Sequence, residues 1–144
     1  MNKKQNQKLE SLSFLYPSVL KCEFKQWHID FEAFRELRRT DKDLLANHYL
    51  FMKTAIQQDP WALEYASPKL KDNFNLVRHA ALKDSLALIF ASKRLLLNKN
   101  LLIIACEIEE EEFIHEILSD TLKDDTEKVD LIWEFLFKAD LGIP

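Results

Sequence analysis

Glycine is almost missing from this chain of 144 residues: Gly142 is the only one, and proline occurs four times, at Pro17, Pro60, Pro68 and Pro144. Hairpins and sharp βα turns lean on glycine at positive φ, so the shortage argues against sheets. It also excludes a glycine-rich phosphate cradle, and neither an HExxH nor a Gly-x-Ser-x-Gly motif occurs. Cysteine is as scarce. Cys22 and Cys106 lie far apart with no CxxC or metal-type spacing, which predicts a reduced chain and not a disulfide framework. A long hydrophobic run is lacking too, because Asn98, Lys99 and Asn100 interrupt the most apolar stretch, and a soluble chain without a membrane span is expected. Lys3 and Lys4 open the chain, but Glu10, Ser11, Ser13 and Pro17 break the apolar stretch next to them and no small-x-small site comes after, so no cleaved signal peptide is expected.

Helix formers fill the space. Hydrophobic residues make up 47% of the chain, and leucine, alanine, glutamate and lysine dominate. Length and composition together predict one all-α domain over residues 1–144, a compact bundle of short helices. The net charge of −4 hides a polarity. Residues 1–42 carry +3 and residues 43–106 carry +3, whereas residues 107–134 hold twelve acidic side chains against two basic ones.

Self-similarity organises the middle of the chain. Phe51–Asn73 (FMKTAIQQDPWALEYASPKLKDN) and Leu76–Asn98 (LVRHAALKDSLALIFASKRLLLN) align without a gap at an offset of 25, with eight of 23 positions identical. Each unit reads as a helical hairpin. A first helix carries Phe51, Ala55 and Ile56, or Leu76, Ala80 and Ala81. Asp59 before Pro60, or Asp84 before Ser85, then caps a second helix over Trp61–Ala66 or Leu86–Ala91. Asn73 and Asn98 are expected to end the unit in a left-handed cap. A third unit starts on schedule at Leu101 and degenerates over residues 101–123, where Glu109–Glu112 replaces Asp-Ser-Leu-Ala and Glu116-Ile117 replaces the Ala-Ser pair. That suits a terminal capping unit.

The segments ALEYASPKLKDNFNLVRHA (Ala62–Ala80) and ALIFASKRLLLNKNLLIIA (Ala87–Ala105) resemble a bacterial repeat family of unassigned function. Its units read approximately AL-aromatic-AS--L--D---V--A. The resemblance covers roughly residues 50–106. It implies helical pairs, a bacterial origin and kinship with effector-type proteins of intracellular bacteria, which places the chain in the bacterial cytoplasm or, after secretion, in a host cell. No catalytic residue comes with the motif.

The flanks fall outside this period. Asp30 precedes Phe31, Phe34 and Leu37 at helical spacing, predicting a helix that ends near Arg39. Thr40 and Asp43 look like the start signal of a helix carrying Leu44, Leu45, His48, Tyr49 and Met52. Leu12–Trp27, broken by Pro17, reads as one or two short helices, and residues 1–8 as frayed. A last helix over residues 125–140 places Val129, Ile132, Trp133 and Leu136 on one face, with Leu131 and Phe135 on the opposite side. It is apolar on too much of its circumference for a surface helix, so either the N-terminal segment or another chain covers the second face.

Candidate chemistry is thin. Glu112-x-x-His115 has the spacing of a di-metal half-site, but none of His28, His48 and His79 has an acidic residue three positions before it to complete a second. Cys22 with His28 and Cys106 with His115 lack any orienting third group, and Cys106 reads as buried. Arg35, Arg38, Arg39 and Lys42 form a basic cluster that reads as a solvated helix end, and the acidic segment would repel nucleic acid. The expectation is a protein without enzymatic activity, metal or cofactor that binds another protein as an effector, regulator or inhibitor. Its predicted contact residues are Glu109, Glu110, Glu111, Glu112, Leu131 and Phe135. A homodimer formed through the last helix and a metal-dependent enzyme using Glu112 and His115 are the alternatives.

Overall fold

The computed structural model describes residues 2–40, 44–109 and 111–140. The chain is mostly helical but not all-α. It opens with α1 (Lys3–Leu15), closed at its start by a capping box: the Gln5 amide donates to Asn2 Oδ1 at 2.8 Å while Asn2 N donates to Gln5 Oε1 at 3.3 Å. The segment expected to fray is therefore helical from Lys3, and Leu9 and Leu12 anchor it in the core.

The stretch expected to form short helices after Pro17 is instead an antiparallel hairpin, β1 (Leu20–Glu23) and β2 (Gln26–Ile29), with Leu20 opposite Ile29 and Glu23 opposite Gln26. Its two turn residues, Phe24 and Lys25, have φ of 51° and 63°. Such a two-residue turn normally recruits Asn-Gly; here side chains with a Cβ occupy the left-handed region, at about 1–2 kcal/mol each. Scarcity of glycine does not exclude the turn, because that region is penalised and not forbidden. Tertiary contacts offset the strain: Leu20 and Ile29 are buried, and the Trp27 indole donates to Asn6 Oδ1 at 3.1 Å. The Gln58 side chain stands in for a third strand, accepting from Ile29 N at 3.0 Å and donating to the Trp27 carbonyl at 2.6 Å.

Helix α2 (Phe31–Thr40) begins as its sequence predicts, with Ala33 N donating to Asp30 Oδ1 at 3.0 Å. Its buried Phe34 meets the rings of Phe51 and Tyr65 at 5.1 and 6.0 Å. The next helix does not start at Thr40. Leu44–Asn47 is a turn, and α3 (Tyr49–Gln58) is capped by His48, whose Nδ1 accepts from Phe51 N at 3.2 Å.

From there the order is η1 (Pro60–Tyr65), α4 (Pro68–Lys71), α5 (Phe74–Lys83), η2 (Ser85–Phe90), α6 (Lys93–Leu96) and α7 (Lys99–Ile108). Asp59 and Asp84 cap as expected, accepting from Trp61 N and Leu86 N at 3.0 Å. What they open are 3₁₀ segments, not α-helices. Six residues are all the room available, because Ser67 and Ser92 sit extended at φ −64° and −61° to cap α4 and α6, and a run that short gains little from α-geometry. Asn73 and Asn98 also differ from expectation. They are extended N-caps accepting from Leu76 N and Leu101 N at 3.1 and 3.3 Å, not left-handed C-caps.

The connections between these elements recur. Ser67 N donates to the Ala46 carbonyl and Ser92 N to the Lys71 carbonyl, each at 2.9 Å, while the serine hydroxyls donate to Asn47 Oδ1 at 2.9 Å and Asp72 Oδ1 at 2.6 Å. Ser92, with Arg94 beside it, holds the Asp72 carboxyl below the usual carboxylate range. Leu45, Leu70 and Leu95 are buried at matching places, as are Phe51, Leu76 and Leu101.

Past α7 come α8 (Glu111–Thr121), η3 (Lys123–Asp125) and α9 (Thr126–Asp140). Ile114, Leu118, Leu122 and Val129 extend the same continuous core that begins at Leu9. An ion pair between Lys93 and Asp125 ties η3 back to α6.

Candidate functional site

Charge on α8 is laid out by helix geometry. Glu112, Glu116 and Asp120 succeed one another at intervals of four, so they form one exposed row on a single face. Phe113, Ile117 and Thr121 run parallel beside that row, with Phe113 43% exposed. The buried stripe Ile114, Leu118 and Leu122 lies on the far side and holds α8 to the core.

Opposite α8 stand the two 3₁₀ segments. In a 3₁₀ helix residues three apart eclipse, which stacks Glu64 over Trp61 in η1 and Ile89 over Leu86 in η2. Between these walls runs a groove of about 300 Å³ lined by Trp61, Leu86, Ile89, Ile117, Asp120 and Thr121. Trp61 is its fixed point. The indole donates to Asp84 Oδ2 at 2.8 Å and its ring packs edge-on against Phe90 at 5.4 Å, yet the side chain stays 41% exposed. Asp84 thus caps η2 with one oxygen and holds the tryptophan with the other.

A second groove of about 760 Å³ lies between α1 and the hairpin, lined by residues that include Phe14, Pro17, Cys22 and Trp27. Its charges, Glu10 and Glu23 against Lys21 and Lys25, cancel, so it selects no sign of partner.

The residues expected to make contacts scatter. Glu109 is half-buried and ends α7, its N–H donating to the Ala105 carbonyl at 2.9 Å. Glu110 and the side chain of Glu111 lie outside the described residues, whereas Glu112 is exposed and belongs to the row on α8. Leu131 on α9 is 67% exposed, and Phe135 lies on the same helix with its side chain outside the described residues. Ile132 and Leu136, expected in the buried stripe with Val129 and Trp133, likewise have side chains outside the described residues. The same holds for Arg38 and Arg39, and Lys42 lies outside altogether, which leaves exposed Arg35 as the described member of the basic cluster.

His115 does not pair with Glu112 in the structure. Its Nε2 lies 2.9 Å from Asp130 Oδ1, and its ring sits 5.1 Å from Trp133, joining α8 to α9. Among the described residues no group of three or more His, Cys, Asp or Glu side chains could hold a metal. Cys22 faces Trp27 across the hairpin, which puts it on the opposite face from His28, and Cys106 is half-buried, not buried as its apolar surroundings suggest. No helix among the described residues is long and apolar enough to cross a membrane.

Residues 49–96 match the model of a domain of unknown function (DUF4116). The match covers a third of the chain. No curated protein and no solved structure matches. The DUF4116 segment begins on the first residue of α3 and ends on the last of α6, so it supplies the Trp61, Leu86 and Ile89 wall of the groove. Ile117 and the acidic row lie outside it.

Of the acidic block Glu109–Glu112 singled out in the sequence, Glu112 alone is a described part of the row beside the groove. The signal for the rest of that row is the four-residue spacing of Glu112, Glu116 and Asp120. Trp61 reads in the sequence only as a helix residue, because its partner Asp84 lies in the next segment.

Proposed function

We propose that this chain is a non-enzymatic protein-binding module, built on a helical repeat of 25 residues and docking its partner in the groove between η1–η2 and α8. The observation that carries the reading is Trp61, a large aromatic side chain pre-set by Asp84 and left accessible on an apolar floor. Fixed, partly exposed tryptophans in apolar depressions are typical anchors of protein interfaces. The repeat is supported by hydrogen bonds that recur at the offset seen in the sequence. Asp59, Asp84 and Glu109 each donate their N–H to Ala55, Ala80 and Ala105, and His48, Asn73 and Asn98 each donate theirs to Leu45, Leu70 and Leu95. The family resemblance supports a bacterial effector, and a regulator or inhibitor of a partner enzyme is the other form this reading takes.

The test is affinity capture with the full chain as bait, from the producing bacterium and from a host cell. A partner retained by the native chain and by Leu82→Asp on α5, but lost with Ile117→Asp and with Trp61→Ser, supports the reading. A partner retained by all four baits, with unaltered circular dichroism melts, removes the groove from the function.

A second reading rests on Leu131: no described segment covers it, and a homodimer through α9 would bury it. Light scattering decides, since Leu131→Asp should convert such a dimer to monomer, and a native chain that is already monomeric ends the idea.

A further inference from the structure

Of the three elements that bound the groove, η1 and α8 carry acidic side chains and η2 carries no charge. Neither α8 nor η1 nor η2 contains a lysine or arginine, whereas Glu64, Glu112, Glu116 and Asp120 are all exposed there. The groove of about 300 Å³ is at the small end for ligand sites and suits one or two bulky side chains, not a buried small molecule. Its walls are helical, with no strand edge to receive an extended peptide by backbone pairing. The acids repeat every four residues along α8, about 6 Å of rise per step, which is the spacing at which a second helix presents cations four apart on one face.

We infer that the partner segment is a basic amphipathic helix. Its apolar anchor fills the space between Trp61, Ile89 and Ile117, and lysines or arginines on its flank lie over Glu112, Glu116 and Asp120. This rests on the docking reading above and adds the chemistry of the occupant. Complementary charge steers the approach and fixes the register of the helix, while the apolar anchor in the groove slows its departure. The interaction therefore weakens as salt shortens the Debye length below about 10 Å.

The experiment uses the full chain and two synthetic peptides of about 18 residues, the length of a long globular helix. One has Leu at i, i+3, i+4 and i+7 with Lys elsewhere; the other replaces each Lys by Glu. Calorimetric titration should show the Leu–Lys peptide binding at least about tenfold more tightly than the Leu–Glu peptide. The combined variant Glu112→Lys, Glu116→Lys and Asp120→Lys should reverse that preference. Ile117→Asp should weaken the Leu–Lys peptide about tenfold; since Ile117 is half-buried, Ile117→Ser serves if the aspartate variant fails to fold.

Equal binding of the two peptides overturns the basic-helix assignment and leaves the groove as a docking surface. Binding of neither to the folded chain overturns both. Leu–Lys binding that survives the charge reversal overturns the assignment of the acidic row. Self-association that Ile117→Asp abolishes gives the groove to a second copy of this chain and overturns the inference as well.

Discussion

Between Tyr49 and Asn98 the polar side chains at segment ends are taken up by caps and by ties to neighbouring segments, whereas after α7 the alternation of helix and 3₁₀ segment gives way to the longer α8. Asp59 and Asp84 cap the 3₁₀ segments that begin just after them, but Glu109, in the corresponding place and one methylene longer, caps nothing among the described residues. Ser67 and Ser92 stop η1 and η2 and tie each to the segment before it. Ile117 stands where a third serine would be, with no hydroxyl to open a new cap, so α8 runs on for 11 residues as an α-helix. Ser67 and Ser92 tie their segments to the one before, and Ile117, 25 residues after Ser92, is part of the groove wall. The groove lies where those ties are absent.

Four measurements probe that contrast. The largest effect is expected from the core, where the regular segments are packed most completely: Leu76→Ala, at a site with 0% exposure, should destabilise by about 2–5 kcal/mol in urea titration. Next come the caps. Asp84→Ala removes the bonds to both Leu86 N and the Trp61 indole and should cost about 1–2 kcal/mol, while Glu109→Ala should change stability by less than about 0.5 kcal/mol. Equal costs at the two positions would erase the distinction between capped and uncapped segments.

A pH dependence arises from His48, which among the described side-chain caps is the one that is not a carboxylate, serine or asparagine. Burial, with Lys8 adding to it, holds the His48 imidazole below its ordinary value of 6.5, and burial with Lys83 and Lys53 does the same to His79. Both are neutral in the folded chain where the unfolded chain takes up protons, so stability should fall as pH drops below about 6.5 and level off once the folded-state values are passed. His48→Asn places there the side chain that caps at Asn73 and Asn98, and the melting temperature should then fall less between about pH 7.5 and pH 5. An unchanged slope would mean that His48 does not contribute. The smallest effect belongs to Lys93→Ala. Lys93 pairs with Asp125 but is 59% exposed, so the melt should stay within scatter and move less still in high salt.

Much of the helical framework is legible in the sequence because it rests on local chemistry. Asp30, Asp59 and Asp84 cap where their neighbours say they should, and the periodic apolar residues from Phe51 to Leu101 are buried. The hairpin is not legible, since its turn at Phe24-Lys25 lacks Asn-Gly, and the contacts that compensate come from Asn6 and Gln58, far away along the chain. His48 reads as the middle of a helix because a histidine cap lacks the statistical weight of Asn or Asp; its equivalence to Asn73 and Asn98 becomes visible once the backbone bonds to Leu45, Leu70 and Leu95 are seen together. The acidic segment stands out as composition, but composition does not say which glutamates share a face.

Residue order alone sets where α2, η1 and η2 begin, which residues of α3, α5 and α7 are buried and that the C-terminal third is acidic, because caps and apolar periodicity act over a few residues. Three-dimensional packing was needed to make six-residue runs 3₁₀, to turn a hairpin at Phe24 and Lys25, and to bring Trp61, Ile89 and Ile117 together across a groove beside Glu112, Glu116 and Asp120. Those outcomes depend on which segments meet, and that is a property of the whole chain.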